Sequence, residues 1–261
     1  ATTRRDGALG RRVNDDDDDD DDDDEQRAIH RATRSATRAL VTTLVVVDVV
    51  VRSAQPDLLL ADVPYIGLAA AQRLGVPSVA LCSLNWADIY RHYCGKRQEC
   101  EAIAVQMLDA YAGAVCFLQP QPSMTMPDLD NRRSIAPIAR VGRPDRKRLR
   151  SLEGTGDAVR FILLGFGGIG MPFPLDRLPV LERTCWIVPD ALETARRDIV
   201  AQSSFGMDYI DLLASVDLVL TKTGYGTQVE AVVNRVPQLC IERPGWPEEP
   251  GLFAWCREHG I

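Results

Sequence analysis

A glycine turn between a predicted strand and a predicted helix contains the residues of this sequence that are best suited to bind a ligand. Residues 218–221 read as a strand and residues 227–234 as a helix, and the turn between them is Lys222-Thr223-Gly224-Tyr225-Gly226-Thr227. The first amides of a helix have no intrahelical acceptor and carry partial positive charge, so such a turn can bind an anion. Glycines let the backbone approach a phosphate closely. The alternative is an ordinary tight turn with Thr227 as the helix cap.

A second glycine-rich stretch, Gly165-Phe-Gly167-Gly168-Ile-Gly170, follows the mostly apolar residues 159–164. It has the G-x-G-x-x-G spacing of dinucleotide-binding loops, in which the third glycine lies at the start of a helix. Pro172 and Pro174 come directly afterwards and prevent a helix from starting there. NAD binding is therefore not expected. The sequence also lacks G-x-x-x-x-G-K-[ST], which argues against a P-loop nucleotidase.

The segment Arg243-Pro-Gly-Trp-Pro-Glu248-Glu249-Pro250 follows the last predicted strand, residues 238–242. Ligands of open α/β sheets bind at the carboxyl ends of the strands, where this segment starts. The carboxylates of Glu248 and Glu249 could accept hydrogen bonds from the hydroxyls of a sugar or a ribose. The alternative is an exposed acidic turn held by prolines.

Charge and composition exclude several classes of protein. The net charge is −7, but the run Asp15–Asp24 contributes ten negative charges. The other residues therefore carry a net charge of +3 (−7 plus 10). A nearly neutral remainder lacks the clustered basic surface of nucleic-acid-binding proteins, and no nucleic-acid partner is expected. No apolar run reaches the roughly 20 residues of a membrane span, and the nearest one, residues 45–51, contains Asp48.

The seven cysteines are odd in number and form no C-x-x-C pair. Buried, reduced thiols in the cytosol are the expectation, because disulfides are rare there and the N-terminus lacks the apolar centre of a secretory signal. His92, Cys94 and Cys100 match no familiar zinc spacing, so neither a metal nor a cofactor is expected.

Strands and helices alternate after residue 40, as in a parallel α/β fold. The valine-rich residues 41–52 favour a strand by propensity, but their place in the alternation favours a helix, which is our prediction. A proline-rich linker is predicted over residues 119–145. The other predicted strands are residues 57–62, 76–82, 114–118, 159–164 and 185–188, and the other predicted helices are residues 66–74, 99–111 and 209–214.

These segments together resemble the GT-B glycosyltransferases, above all the MurG-like group and the glycosyltransferase-like N-terminal region of plant arabinokinases. The resemblance covers residues 41–261. It is carried by Pro56-Asp-Leu-Leu-Leu-Ala-Asp62, Val76-Pro-Ser-Val-Ala80, Asn85-Trp86 with Ile89-Tyr90, Gly224-Tyr-Gly-Thr227 with Glu230-Ala231, and Arg243-Pro244 with Glu248-Glu249-Pro250.

The resemblance implies an α/β fold with two Rossmann-like domains. Residues 1–40 would be a disordered acidic tail, residues 41–142 an incomplete acceptor-side domain, and residues 143–261 a truncated domain that binds a nucleotide-diphosphate sugar. The donor would be a UDP-sugar, the acceptor hydroxyl stays open, and Asp62 would support its deprotonation. The donor-binding residues would be Gly167, Gly168, Lys222, Thr223, Gly224, Tyr225, Gly226, Thr227, Glu230, Arg243, Glu248 and Glu249.

Three departures from the family pattern keep other functions open. Before residue 41 only His30 is available where the family has an opening strand and a Gly/His loop, Arg235 replaces a helix-ending glycine, and the chain stops at Ile261. A fragment or a divergent member is expected. The alternatives are a non-catalytic nucleotide-sugar-binding or regulatory module, as part of a longer sugar-kinase chain, and an epimerase with the same class of donor.

Deletion of residues 1–37 tests the predicted tail. Ten adjacent carboxylates repel one another and offer no apolar surface to bury, so the melting temperature of the shortened chain should equal that of the full chain. Differential scanning calorimetry of both chains measures this. A marked fall in melting temperature would show that the tail packs on the folded part.

Overall fold

The computed structural model describes residues 43–94, 98–152, 155–166, 173–190 and 195–259. The chain divides into two compact units, Ala1–Ala54 and Gln55–Ile261. The described part of the first unit is helical over residues 43–54 (α1). This confirms the helix predicted for the valine-rich segment. The predicted acidic tail lies outside the described residues, and the domain boundary predicted at residue 142 stays a prediction.

The second unit begins with a parallel four-stranded sheet whose strands neighbour one another in chain order. Tyr111 and Phe117 meet edge to face in its core, with 5.4 Å between ring centroids, and Gly75 ends the first connecting helix in the left-handed conformation. The strands are β1 (Leu59–Ala61), β2 (Ser78–Leu81), β3 (Cys116–Pro120) and β4 (Arg132–Ile135), and the helices are α2 (Tyr65–Leu74), α3 (Trp86–Cys94) and α4 (Gln98–Ala112).

A parallel five-stranded sheet follows, in the order β7-β6-β5-β8-β9. Its strands are β5 (Arg160–Gly165), β6 (Thr184–Val188), β7 (Ile199–Ala201), β8 (Leu218–Lys222) and β9 (Gln238–Ile241), and its helices are α5 (Arg146–Ser151), α6 (Tyr209–Ser215), α7 (Tyr225–Val233) and α8 (Glu249–His259). The chain builds the sheet outward from β5 to β7 and then returns to place β8 on the other side of β5. Ligands of doubly wound sheets bind at such a reversal, beside the carboxyl ends of the two strands.

Five elements lie where the sequence predicted none: α3, β4, α5, β7 and α8. The linker prediction is wrong where β4 lies. This strand is Arg-Arg-Ser-Ile at the edge of the first sheet and is mostly exposed, so it has no apolar alternation to reveal it. Helix α8 has Pro250 in its first turn, where a proline costs the helix no hydrogen bond.

The segment between the two sheets, residues 136–145, is held to the second sheet's helices by its backbone. Side chains on α6 and at the end of α7 accept hydrogen bonds from three of its amides, which satisfies polar groups that have no partner in regular structure. The bonds are Gly142 N to Asn234 Oδ1 (2.8 Å), Arg143 N to Asp211 Oδ1 (2.7 Å) and Asp145 N to Ser215 Oγ (2.8 Å). An ordered connection therefore joins the sheets.

The substitution Gly142→Ala tests this connection. An added Cβ would lie 2.2 Å from the Ile210 carbonyl oxygen on α6, so the backbone would have to move. We expect the free energy of unfolding to fall by about 1–3 kcal/mol, and each kcal/mol lowers the melting temperature by roughly 2–4 °C. Gly226→Ala is the control, because a Cβ there meets nothing within 4 Å. Equal melting temperatures for Gly142→Ala and the parent would contradict the close contact.

Candidate functional site

A cavity of about 360 Å³ lies where the order of the second sheet reverses. Its wall combines the end of β5, the segments after β6 and β7, and the starts of α6 and α7. Three predicted site residues line it: Gly226, Thr227 and Glu230. Its other lining residues are Leu164, Gly165, Phe166, Pro189, Gln202 and Tyr209. The volume is within the range of small-ligand sites.

Helix α7 begins two residues earlier than predicted, at Tyr225. Gly224 is the residue before it, and its amide donates to Gln228 Oε1 at 2.9 Å. Thr227 therefore lies inside the first turn, and the alternative in which Thr227 is the helix cap is wrong. The amides of Tyr225, Gly226 and Thr227 come before the first intrahelical donor, the Gln228 amide, so none of them has an acceptor within the helix.

The folded chain itself requires glycine at neither position of the turn. The backbone of Gly224 is extended, with φ 174°, and an added Cβ would only touch Lys222 Nζ and the Lys222 carbonyl at ordinary distances, 3.8 and 4.0 Å. A Cβ on Gly226 would meet open space. A glycine inside a helix costs about 1 kcal/mol relative to alanine. The turn thus keeps space clear beside its amides.

Two cationic side chains stand near this turn. Lys222 ends β8, and the pKa of its ammonium is lowered by burial and by the charge of Arg243. The Arg243 guanidinium lies 4.2 Å over the Trp246 ring, and its Nη1 donates to the Thr223 carbonyl at 3.4 Å. Within the described ranges, neither cation forms an ion pair with a carboxylate. Their mutual repulsion and the helix start favour an anion here.

Gly165 is required by packing in the same cavity. A Cβ on Gly165 would lie 2.7 Å from the Tyr209 hydroxyl. That hydroxyl is buried and has no hydrogen-bond partner within the described part of the chain. Burial raises the pKa of Tyr209. Sequence reasoning missed Tyr209, since a tyrosine at the start of a helix belongs to no motif.

A second cavity, of about 350 Å³, lies at the carboxyl ends of the first sheet. Asp62 after β1 and Ser83 after β2 line it, and Tyr225 and Glu248 line it from the second sheet's side. The predicted catalytic carboxylate and one predicted donor-binding carboxylate therefore share one cavity. The remaining lining residues are Leu81, Cys82, Leu84, Pro120 and Ile138.

The two adjacent glutamates have different surroundings. Glu248 is 3% exposed, so the alternative of an exposed acidic turn is wrong for it. Glu249 Oε2 accepts hydrogen bonds from the buried Thr223 hydroxyl and from the Arg243 amide at 2.6 Å. This pairing fixes the segment after β9 to the end of β8. Glu230, in the other cavity, pairs with Arg140 at 3.0 Å.

Gly167 and Gly168 lie outside the described residues. Among residues that are described, no cluster of three or more His, Cys, Asp or Glu side chains is arranged to hold a metal ion. No described helix is both long and apolar enough to span a membrane.

Comparison with known structures places this architecture. The spinosyn forosaminyltransferase SpnP has a TM-score of 0.53 at 18% identity, over 82% of this chain and 64% of that one. The spinosyn rhamnosyltransferase SpnG has a TM-score of 0.53 at 16% identity, over 82% of this chain and 60% of that one. The chain has the GT-B fold. A UDP-glucosyltransferase from Polygonum tinctorium gives 0.52 at 13% identity, over 83% and 64%.

The GT-B fold confirms the expected α/β class with two parallel Rossmann-like sheets. Among curated proteins, L-arabinokinase of Arabidopsis thaliana is 25% identical over 205 residues. The match covers 77% of this chain but 19% of the arabinokinase. No family model matches the chain. The chain thus spans about a fifth of that relative and less than two thirds of the solved transferases above.

Tyr209→Phe and Tyr111→Phe form a matched pair of tests for the unpaired hydroxyl. The Tyr111 hydroxyl donates to the Val63 carbonyl at 2.8 Å and accepts from the Trp86 amide at 3.4 Å. Removal of this hydroxyl should lower the free energy of unfolding by about 1–3 kcal/mol. Loss of the Tyr209 hydroxyl removes an uncompensated polar group, and stability should stay equal or rise. Urea unfolding measures both. A loss at Tyr209 as large as that at Tyr111 would show that its hydroxyl is paired.

Proposed function

We propose that the GT-B chain binds a nucleotide-diphosphate sugar, with a UDP-sugar as the donor, and transfers the sugar to an acceptor hydroxyl. The observation that carries the proposal is the start of α7: amides without intrahelical acceptors beside open space, at the reversal point of a doubly wound sheet. Phosphate oxygens need such amides and such clearance. The likeness to a UDP-glucosyltransferase supports UDP as the nucleotide.

In this proposal the diphosphate lies against Gly226 and Thr227, with Lys222 and Arg243 adding positive charge. Glu230 accepts hydrogen bonds from the ribose, and the buried Tyr209 hydroxyl gains the partner that it lacks within the described residues. The sugar extends toward Glu248. Glu249 and Thr223 act indirectly, because their side chains hold the segment that contains Arg243 and Glu248.

The acceptor binds in the cavity that contains Asp62. The acceptor oxygen attacks the anomeric carbon, a new C–O bond forms, and the bond between that carbon and the diphosphate oxygen breaks with inversion. The acceptor's proton passes to the Asp62 carboxylate, and UDP leaves with the bonding electrons, stabilised at the start of α7. The cytosol is the proposed compartment, because no disulfide joins any of the cysteines within the described residues.

A second candidate function is a non-catalytic module that binds the same nucleotide sugar. The match to a fifth of a protein named for kinase activity favours it, because a binding region beside a kinase needs no transfer chemistry of its own. Release of UDP from several UDP-sugars, with and without a panel of sugar and aryl alcohols, separates the two candidates. Binding without any UDP release would favour the module.

The substitution Gly226→Val tests the diphosphate site. The Cβ of the valine would enter open space beside the α7 amides, with no protein atom within 4 Å, so the fold should persist while the branched side chain displaces the phosphate. UDP affinity should fall at least about tenfold, or roughly 1.4 kcal/mol. Calorimetric titration of the parent and variant with UDP and with uridine measures this.

Uridine and circular dichroism provide the controls for Gly226→Val. UDP should bind the parent more tightly than uridine does, since only UDP reaches the helix start. The circular dichroism spectrum and melting curve of the variant should match those of the parent. Equal affinities of the parent for UDP and uridine, or a variant that binds UDP like the parent, would leave the turn a purely structural element.

A further inference from the structure

We infer that Ser83, on the acceptor-side sheet, positions the Glu248 carboxylate for the donor sugar, so that recognition of the sugar needs residues from both sheets. This inference rests on the proposed function. The Ser83 hydroxyl donates to Glu248 Oε1 at 2.5 Å, and the two residues are 165 positions apart in the sequence. Both are buried, at 5% and 3% exposure.

The bonds to Glu248 fix its orientation but do not saturate it. Trp246 Nε1 donates to Oε2 at 3.2 Å, so each carboxylate oxygen has one donor and a second lone pair that can accept another. Within the described part of the chain no cation pairs with this carboxylate. A buried charge with two donors and no counter-ion gains from further donors. Since Glu248 lines the cavity with Asp62, sugar hydroxyls can supply them.

Ser83 is well placed to hold another residue because its own backbone is fixed. Its carbonyl accepts from the Met124 amide at 2.9 Å, and the preceding Cys82 amide donates to the Leu118 carbonyl on β3 at 3.1 Å. The hydroxyl therefore projects from a rigid strand end. Without it, Glu248 would keep only the Trp246 donor and could rotate away from the sugar.

If the same bond had only a structural role, a different result would be expected. The bond also joins the two sheets, and so does Tyr93, whose hydroxyl donates to the Gly245 carbonyl at 3.1 Å. Tyr93 is exposed and has no contact with Glu248 among its hydrogen bonds, which makes Tyr93→Phe a matched control. If the Ser83 bond only holds the two sheets together, its loss should change ligand affinity no more than the loss of the Tyr93 bond does.

The experiment is a double-mutant cycle on the full chain with Ser83→Ala, Glu248→Ala and the double variant, plus Tyr93→Phe. Each protein is titrated by calorimetry with UDP, UDP-glucose and UDP-galactose. Ser83→Ala should leave UDP affinity within about twofold and weaken the better-bound UDP-sugar about tenfold. In the Glu248→Ala background, Ser83→Ala should cause no further loss, because the two residues act as one unit. Tyr93→Phe should leave both affinities unchanged.

The outcomes distinguish a positioning role of Ser83 from a purely structural one. The inference is overturned if Ser83→Ala weakens the binding of UDP and of UDP-sugar equally, or if the effect of Ser83→Ala persists without Glu248. Parent-like affinities of Ser83→Ala for every ligand also overturn it, while UDP binding by the parent keeps the proposed function. A parent that binds neither UDP nor either UDP-sugar overturns the proposed function, and the inference falls with it.

Discussion

The start of α7 is the constraint on which both cavities depend. The Gly224 amide is held by Gln228, and β8 before it is locked to β5 by the bond from Thr221 Oγ1 to the Gly165 carbonyl at 2.6 Å. From this fixed point, Tyr225 reaches the first sheet, where its hydroxyl donates to the Gln121 carbonyl at 3.2 Å. Gly226, the next residue, lines the cavity of the second sheet. One helix start therefore positions residues in two sites.

Two carboxylates, the buried Glu248 and the half-buried Glu249, connect this arrangement to the segment after β9. Glu249 binds the end of β8 through Thr223, and this contact brings the neighbouring Glu248 and Trp246 to the first sheet. Hydrogen bonds to charged groups contribute about 1.5–3 kcal/mol each, and a carboxylate left buried without them costs more. The prolines of this segment restrict its backbone further. The two adjacent glutamates thus have different roles: Glu249 holds the segment in place and Glu248 lines the cavity.

The sequence predicted the parts of the site that are contiguous along the chain. Strand, glycine turn and helix follow one another from β8 to α7, so local rules located them, with an error of two residues at the helix start. The contacts of Gly165 with Tyr209 and of Ser83 with Glu248 join residues far apart, and only the strand order brings them together. The prolines after the glycine-rich motif argue against an NAD site from the sequence alone, but the steric need for Gly165 depends on Tyr209, which no local pattern reveals.

The proposed transfer imposes a geometric condition on these two cavities. The donor's reactive carbon must come within reach of an acceptor oxygen near Asp62, while its diphosphate stays at the α7 amides. Tyr225 lines the cavity of Asp62 and Gly226 lines the other, so adjacent residues mark the two ends of the path. A donor that spans them must pass the Tyr225 side chain, which is held by the Gln121 carbonyl and the Ile138 amide. The first sheet and the connecting segment thereby fix the side chain that lies between the two cavities, so the proposed transfer would depend on both sheets and on their ordered connection.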